Sequence, residues 1–90
     1  DLSLLVEKTI PYSSIQEAIN QTNGMFLIEF NLFDVYTGKG VDPNQISYSI
    51  SFLFQNKDRT LKDVEIDQEM LKIYERLKSE LNVSLRDGEL

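Results

Sequence analysis

Residues 47–54 read Ser-Tyr-Ser-Ile-Ser-Phe-Leu-Phe, and this alternation constrains the fold more than any other feature of the chain. Successive side chains of a strand point to opposite faces. Tyr48, Ile50, Phe52 and Phe54 therefore share one face, and Ser47, Ser49, Ser51 and Leu53 the other. The aromatic face has to be buried on a core, and the face of small hydroxyls is expected to stay exposed. The chain must build a sheet that is covered on one side.

The remaining elements are read in the same way. Leu2, Leu4 and Val6 alternate with Ser3 and Leu5, a first strand with one buried face. Ser14-Ile15-Gln16-Glu17 has the capping-box form, which predicts a helix start at Ser14 with Ile15, Ala18, Ile19 and Thr22 on its inner side. Asn23-Gly24 is expected to end that helix through a left-handed glycine. Within the apolar run 25–36 the alternation breaks. A β-bulge near Leu32 to Asp34 restores it, turning Phe30, Leu32 and Val35 inward and Asp34 and Tyr36 outward. Gly38, Gly40, Pro43 and Asn44 mark a loop from Thr37 to Ile46. Ile66, Met70, Ile73, Leu77 and Leu81 form a helical stripe that begins near Asp63, with acids gathered at its start and bases further on. Val83 and Leu85 alternate as a short last strand, and Arg86 to Leu90 read as a frayed tail. The order β-α-β-β-α-β is the α+β, ferredoxin-like arrangement: a four-stranded antiparallel sheet with two helices on one face.

Composition removes most chemistry. Cysteine and histidine are both absent, which excludes disulfides, zinc sites, thiol catalysis and histidine-based acid–base machinery. Ninety residues make one domain, 1–90, and no apolar run approaches a membrane span. The chain opens at Asp1 inside a strand pattern and without methionine, so a piece of a longer protein is expected. Net charge is −6, although residues 32–62 carry +1 and the rest −7. A nucleic-acid contact would therefore use the loop region, and would be weak for this module alone.

Several sharper motifs fail on spacing. Gly38-Lys39-Gly40 lacks the spacing of a phosphate loop and is followed by Val41-Asp42, not by a helix, so it reads as a turn with a solvated lysine. Asp63, Glu65, Asp67 and Glu69 offer at best two ligands from one helix and read as charges that complement the helix dipole. An RNA-recognition motif places aromatic residues on the open face, whereas this strand turns them inward. Two readings stay open. Ser47, Ser49 and Ser51 are either an ordinary wet face or a surface that lets RNA approach closely. Tyr36 is either strand-end packing or a ring for base stacking, with the Asp34 carboxylate beside it.

Three ordered segments carry a resemblance: Leu32-Phe33-Asp34-Val35-Tyr36, then Gly38-x-Gly40-Val41, then Lys57-Asp58-Arg59-Thr60-Leu61. In sequence and spacing they resemble the C-terminal ferredoxin-fold anticodon-binding domain of bacterial phenylalanyl-tRNA synthetase β subunits, over essentially the whole chain. The resemblance implies a non-catalytic tRNA-binding module in a cytoplasmic enzyme. That enzyme would assemble as α2β2 and use ATP, magnesium, phenylalanine and its tRNA, with no cofactor held in this segment. Asp34, Tyr36 and Ser47 would lie by the first anticodon base, and Ser49 and Ser51 would line the same face. Arg59 would brace the loop into the second helix. Gln45, Ile46 and Ser51 stand where the family often has basic residues. Those losses remove phosphate partners and leave base contact dependent on docking by the rest of the enzyme. The rival readings are a ferredoxin-like regulatory module that dimerises or binds a small ligand, and a purely structural interaction domain.

Overall fold

Leu2, Leu4 and Val6 are buried and Glu7 is exposed, so the first strand, β1 (Leu2–Glu7), turns one apolar face to a core as its alternation requires. In the computed structural model, which describes residues 1–22 and 24–86, it is followed by α1 (Tyr12–Gln21), β2 (Leu27–Tyr36) and β3 (Gln45–Phe54). After these come α2 (Asp63–Leu81) and β4 (Ser84–Leu85). The strands lie in the order β2-β3-β1-β4 and every neighbouring pair is antiparallel. This is the expected ferredoxin-like arrangement.

The core lies between one sheet face and the two helices. Leu4 and Ile50 from the central strands meet Ile15 and Ile19 of α1 and Ile73 and Leu77 of α2, all of them essentially inaccessible to water. Each such side chain contributes roughly 1.5–3 kcal/mol through removal of apolar surface from water. Phe30 and Phe52 are cross-strand partners on the same face, with ring centres 6.2 Å apart. The bulge falls where the alternation predicts it: the register shifts between Leu32 and Asp34 and leaves Phe33 as the extra residue. A second shift, between Leu27 and Glu29, carries no such signal in the sequence. Val35 has the expected parity, opposite Tyr48, yet it is half exposed, because β2 is an edge strand.

The start of α1 differs from expectation. The helix begins at Tyr12 with Pro11 as N-cap in extended conformation, and the Ser14 amide donates to the Pro11 carbonyl at 3.0 Å. No Ser14–Glu17 capping box forms. Proline fixes its φ in the range that suits a helix start. Tyr12 is also drawn inward against Tyr48, with ring centres 5.4 Å apart. Tertiary packing thus moves the N-cap three residues upstream, from Ser14 to Pro11.

The end of α1 differs as well. Thr22 leaves the helix in extended conformation, and its hydroxyl donates to the Ala18 carbonyl at 2.9 Å. The helix is closed at Thr22, and the expected Asn23-Gly24 cap involves Asn23, which lies outside the described residues. Glycine leaves room at position 24: a β-carbon there would stand 2.9 Å from Glu69 Oε2 and would require that carboxylate to shift. Glu69, on α2, is buried, and its Oε1 accepts the amides of Met25 at 2.6 Å and Phe26 at 2.9 Å. It therefore anchors the approach to β2 and does not serve the helix dipole. The sequence held the signal. Glu69 stands three residues after Ile66 and four before Ile73, on the apolar stripe itself.

Arg59 braces the turn into α2. Its guanidinium donates to both carboxylate oxygens of Glu65 at 2.6 Å each and lies 5.8 Å from the centre of the Phe26 ring. Glu65 Oε1 also accepts the Lys62 amide at 3.0 Å, which satisfies a free donor at the helix start. The Arg59 hydrogen bonds, followed by that backbone hydrogen bond, lower the Glu65 carboxyl from 4.5 to about 2. Asn82 closes α2 in the left-handed conformation, φ 55°, with its amide on the Lys78 carbonyl.

Candidate nucleic-acid interface

The sheet face turned away from the helices is organised by register into rows of side chains. One row runs Tyr36, Ser47, Leu5, Ser84 across β2, β3, β1 and β4. The next runs Asp34, Ser49, Ser3, and Arg86 completes it, its amide donating to the Ser3 carbonyl at 3.0 Å. Ser51 stands opposite Asn31 in a third row. The five residues expected at an RNA contact, Asp34, Tyr36, Ser47, Ser49 and Ser51, therefore occupy one face of two adjacent strands.

Their exposure is not what the alternation suggested. Ser47 is 1% and Ser49 7% accessible, so neither belongs to an open hydroxyl surface, and Ser51 is half-buried. Both buried serines sit on a central strand where small side chains are overshadowed by larger neighbours. Ser49 Oγ lies 3.0 Å from Ser3 Oγ, and Ser47 Oγ accepts from the Arg86 guanidinium at 3.4 Å. Asp34 is exposed.

Tyr36 is engaged on two sides. Its hydroxyl donates to the Lys39 carbonyl at 2.8 Å, and the Arg86 guanidinium carbon lies 4.7 Å from its ring centre. Gly38, at φ 128°, carries the chain past the ring in a conformation that favours glycine. The Lys39 backbone and the Arg86 guanidinium thus hold Tyr36 from two sides, and the cation over the ring comes from outside the positively balanced segment 32–62.

The sequence pattern puts Arg86 at the start of a frayed tail, and the structure differs. Arg86 is exposed but held at three points, its amide on Ser3, its guanidinium against Tyr36 and on Ser47. Residues 87–90 of that tail lie outside the described residues. A signal for Arg86 was available. Val83 and Leu85 face the core, so the intervening parity places Ser84 and Arg86 on the face of Ser47 and Ser49.

The surface can present a carboxylate, a guanidinium, an aromatic ring and the half-buried Ser51 hydroxyl to a flat, polar ligand. Surface hollows such as that between Glu7, Lys8, Asp42 and Gln45 do not include Asp34, Tyr36 or Ser47 in their walls. Among the described residues no group of three or more acidic, histidine or cysteine side chains is placed to hold a metal ion. No helix among them is long and apolar enough to cross a membrane.

Comparison with known proteins agrees with this architecture. The family model described as "Ferredoxin-fold anticodon binding domain" matches residues 1–86. The chain is similar to the phenylalanine–tRNA ligase beta subunit of Bacteroides thetaiotaomicron, 40% identical over 86 residues that make up 96% of this chain and 10% of that protein. It is also similar to the beta subunit of the same name from Pseudoalteromonas translucida, 38% identical over 87 residues, 97% of this chain and 11% of that protein. The corresponding subunit of Pseudomonas fluorescens is 37% identical over 86 residues, 96% of this chain and 11% of that protein. The chain spans about a tenth of the length of these relatives. With the match running from β1 through Arg86 and taking in every strand and helix, the chain belongs to the ferredoxin-fold anticodon binding domain family.

Proposed function

We propose that this chain is the anticodon stem-loop binding module of a phenylalanine–tRNA ligase beta subunit and is itself non-catalytic. It would support attachment of phenylalanine to its tRNA by holding the far end of that RNA. The observation that carries this reading is the convergence of Asp34, Tyr36, Ser47 and Arg86 on the uncovered sheet face of a domain of this family.

The proposed division of labour follows the chemistry of each group. Asp34, exposed at the sheet rim, accepts from the polar edge of an unpaired base. Tyr36 supplies an aromatic surface held in place by Lys39 and Arg86. Ser47, beneath Arg86, reaches RNA only once the guanidinium moves aside. Ser49 and Ser51 form the floor of the face, and their small size lets a base or sugar approach closely. Arg86 is a positioning residue for Tyr36 and Ser47 and a donor to phosphate or base. Lys39 and Arg86 are too few for a basic clamp, so affinity depends on docking by the rest of the enzyme.

The parent enzyme, in this reading, is a cytoplasmic α2β2 ligase that uses ATP and magnesium in parts of the protein outside this domain. In the full-length ligase, Tyr36→Ala is expected to raise the apparent KM for tRNA about 5- to 150-fold, the range that one lost base–aromatic contact of roughly 1–3 kcal/mol represents. Phenylalanine activation with ATP should stay unchanged. Unaltered aminoacylation kinetics in that variant would remove the assignment of Tyr36.

A further inference from the structure

Arg86 lies over the Tyr36 ring and the Lys39 carbonyl holds its hydroxyl, so Tyr36 is a fixed contact on this face. Phe33, three residues earlier on the same strand, is 58% exposed. It is the inserted residue of the β2 bulge, standing between Leu32, which pairs with Ile50, and Asp34, which pairs with Ser49. It has no partner on β3 in the strand register, so no cross-strand neighbour shields it. The bulge suspends strict alternation here, so Phe33 and Asp34 both follow the core-facing Leu32 as exposed residues on the edge strand β2. A large apolar ring kept in water beside a carboxylate has no role in the core.

We infer that Phe33 is the stacking platform for an unpaired nucleobase, with the adjacent Asp34 carboxylate accepting from that base's edge. This rests on the reading of the open face as RNA-binding and adds to it a second aromatic contact. A nucleobase fits the pair because its faces are apolar and its edge carries N–H donors. An apolar protein side chain docking here would meet the same ring but would leave the Asp34 carboxylate to be desolvated without a donor. Continuity with Tyr36 in the neighbouring row places two aromatic residues along one path at the β2 rim.

The test uses the full-length ligase that carries this chain and compares Phe33→Ala, Phe33→Leu and Phe33→Trp, with Asp34→Ala and Tyr36→Ala alongside. Phenylalanine-dependent ATP–pyrophosphate exchange checks that the rest of each protein is intact, and unchanged resistance to limited proteolysis checks that this domain is folded. The expected result is a rise of about 5- to 150-fold in the KM for tRNA with alanine and with leucine, since leucine keeps the apolar bulk but has no π face. Tryptophan should stay near wild type. A wild-type KM for Phe33→Leu, with elevated values for Asp34→Ala and Tyr36→Ala, overturns the Phe33 platform and leaves the RNA-binding face standing. Wild-type values for all of the variants overturn both.

Discussion

The Arg86 guanidinium lies 4.7 Å from the centre of the Tyr36 ring, so a residue at the end of the last strand touches the opposite edge of a four-stranded sheet. That contact spans β1 and β3, covers Ser47, and sets the shape of the face on which the proposed RNA contact depends. Replacing Arg86 with alanine removes a cation–π contact worth about 0.5–2 kcal/mol and a hydrogen bond. We expect a loss of about 1 kcal/mol in urea unfolding and an increase in Ser47 amide exchange. Lysine should recover the charge but not the planar contact. Equal stability of the alanine variant and the wild type would show that the latch is not populated in solution.

Glu69 and Gly24 form a matched pair. Glu69→Ala strands the Met25 and Phe26 amides and should destabilise the chain by about 1–3 kcal/mol. Gly24→Ala pushes a β-carbon against the carboxylate and should cost a similar amount. The two are coupled, because removing the carboxylate makes room for the methyl group. In the Glu69→Ala background, Gly24→Ala should be nearly neutral, and a double-mutant cycle reads this directly. Strict additivity would mean that the close approach is not what requires glycine.

Acid should release the Arg59–Glu65 brace in a defined window. The Glu65 carboxyl is lowered from 4.5 to about 2 by hydrogen bonds from Arg59 and from the Lys62 amide. A depressed carboxyl contributes its stability fully above the unfolded value, and that contribution is lost as pH falls through the folded one. The difference in melting temperature between wild type and Glu65→Gln should therefore be constant from pH 8 to 5 and shrink between about pH 4.5 and 2. A difference that does not change across that window would contradict the assignment.

Asn82 holds a left-handed backbone at the end of α2. Glycine adopts that conformation freely and asparagine tolerates it, whereas a β-branched residue pays about 1–2 kcal/mol. Asn82→Gly should match or exceed wild-type stability in urea unfolding, and Asn82→Val should lose about 1–2 kcal/mol. The reverse order would place the helix end elsewhere.

Periodicity made most of the fold readable. The strands β1 and β3, the bulge at Phe33 and the core stripe of α2 each follow from where apolar residues recur, because burial on one face is a local pattern. The start of α1 was not readable in that way, since the packing of Tyr12 on Tyr48, 36 residues away, moves it upstream. The candidate site divides along the same line. Register and alternation place Asp34, Tyr36, Ser47, Ser49 and Ser51 on one face. Their exposure depends on Arg86 and Ser3, which arrive from other strands. A serine on the outer parity of a strand reads as wet until something crosses over it, and only the tertiary structure says what does.

The proposed contact itself is tested most directly by footprinting the anticodon loop of phenylalanine tRNA bound to the full-length ligase, comparing wild type with an Asp34→Ala, Tyr36→Ala double variant. The account predicts protection of the first anticodon nucleotide by the wild-type protein and its loss in the variant, with protection of the acceptor end retained in both. Undiminished protection of that nucleotide in the variant would contradict the assignment of the open sheet face as the RNA-binding surface.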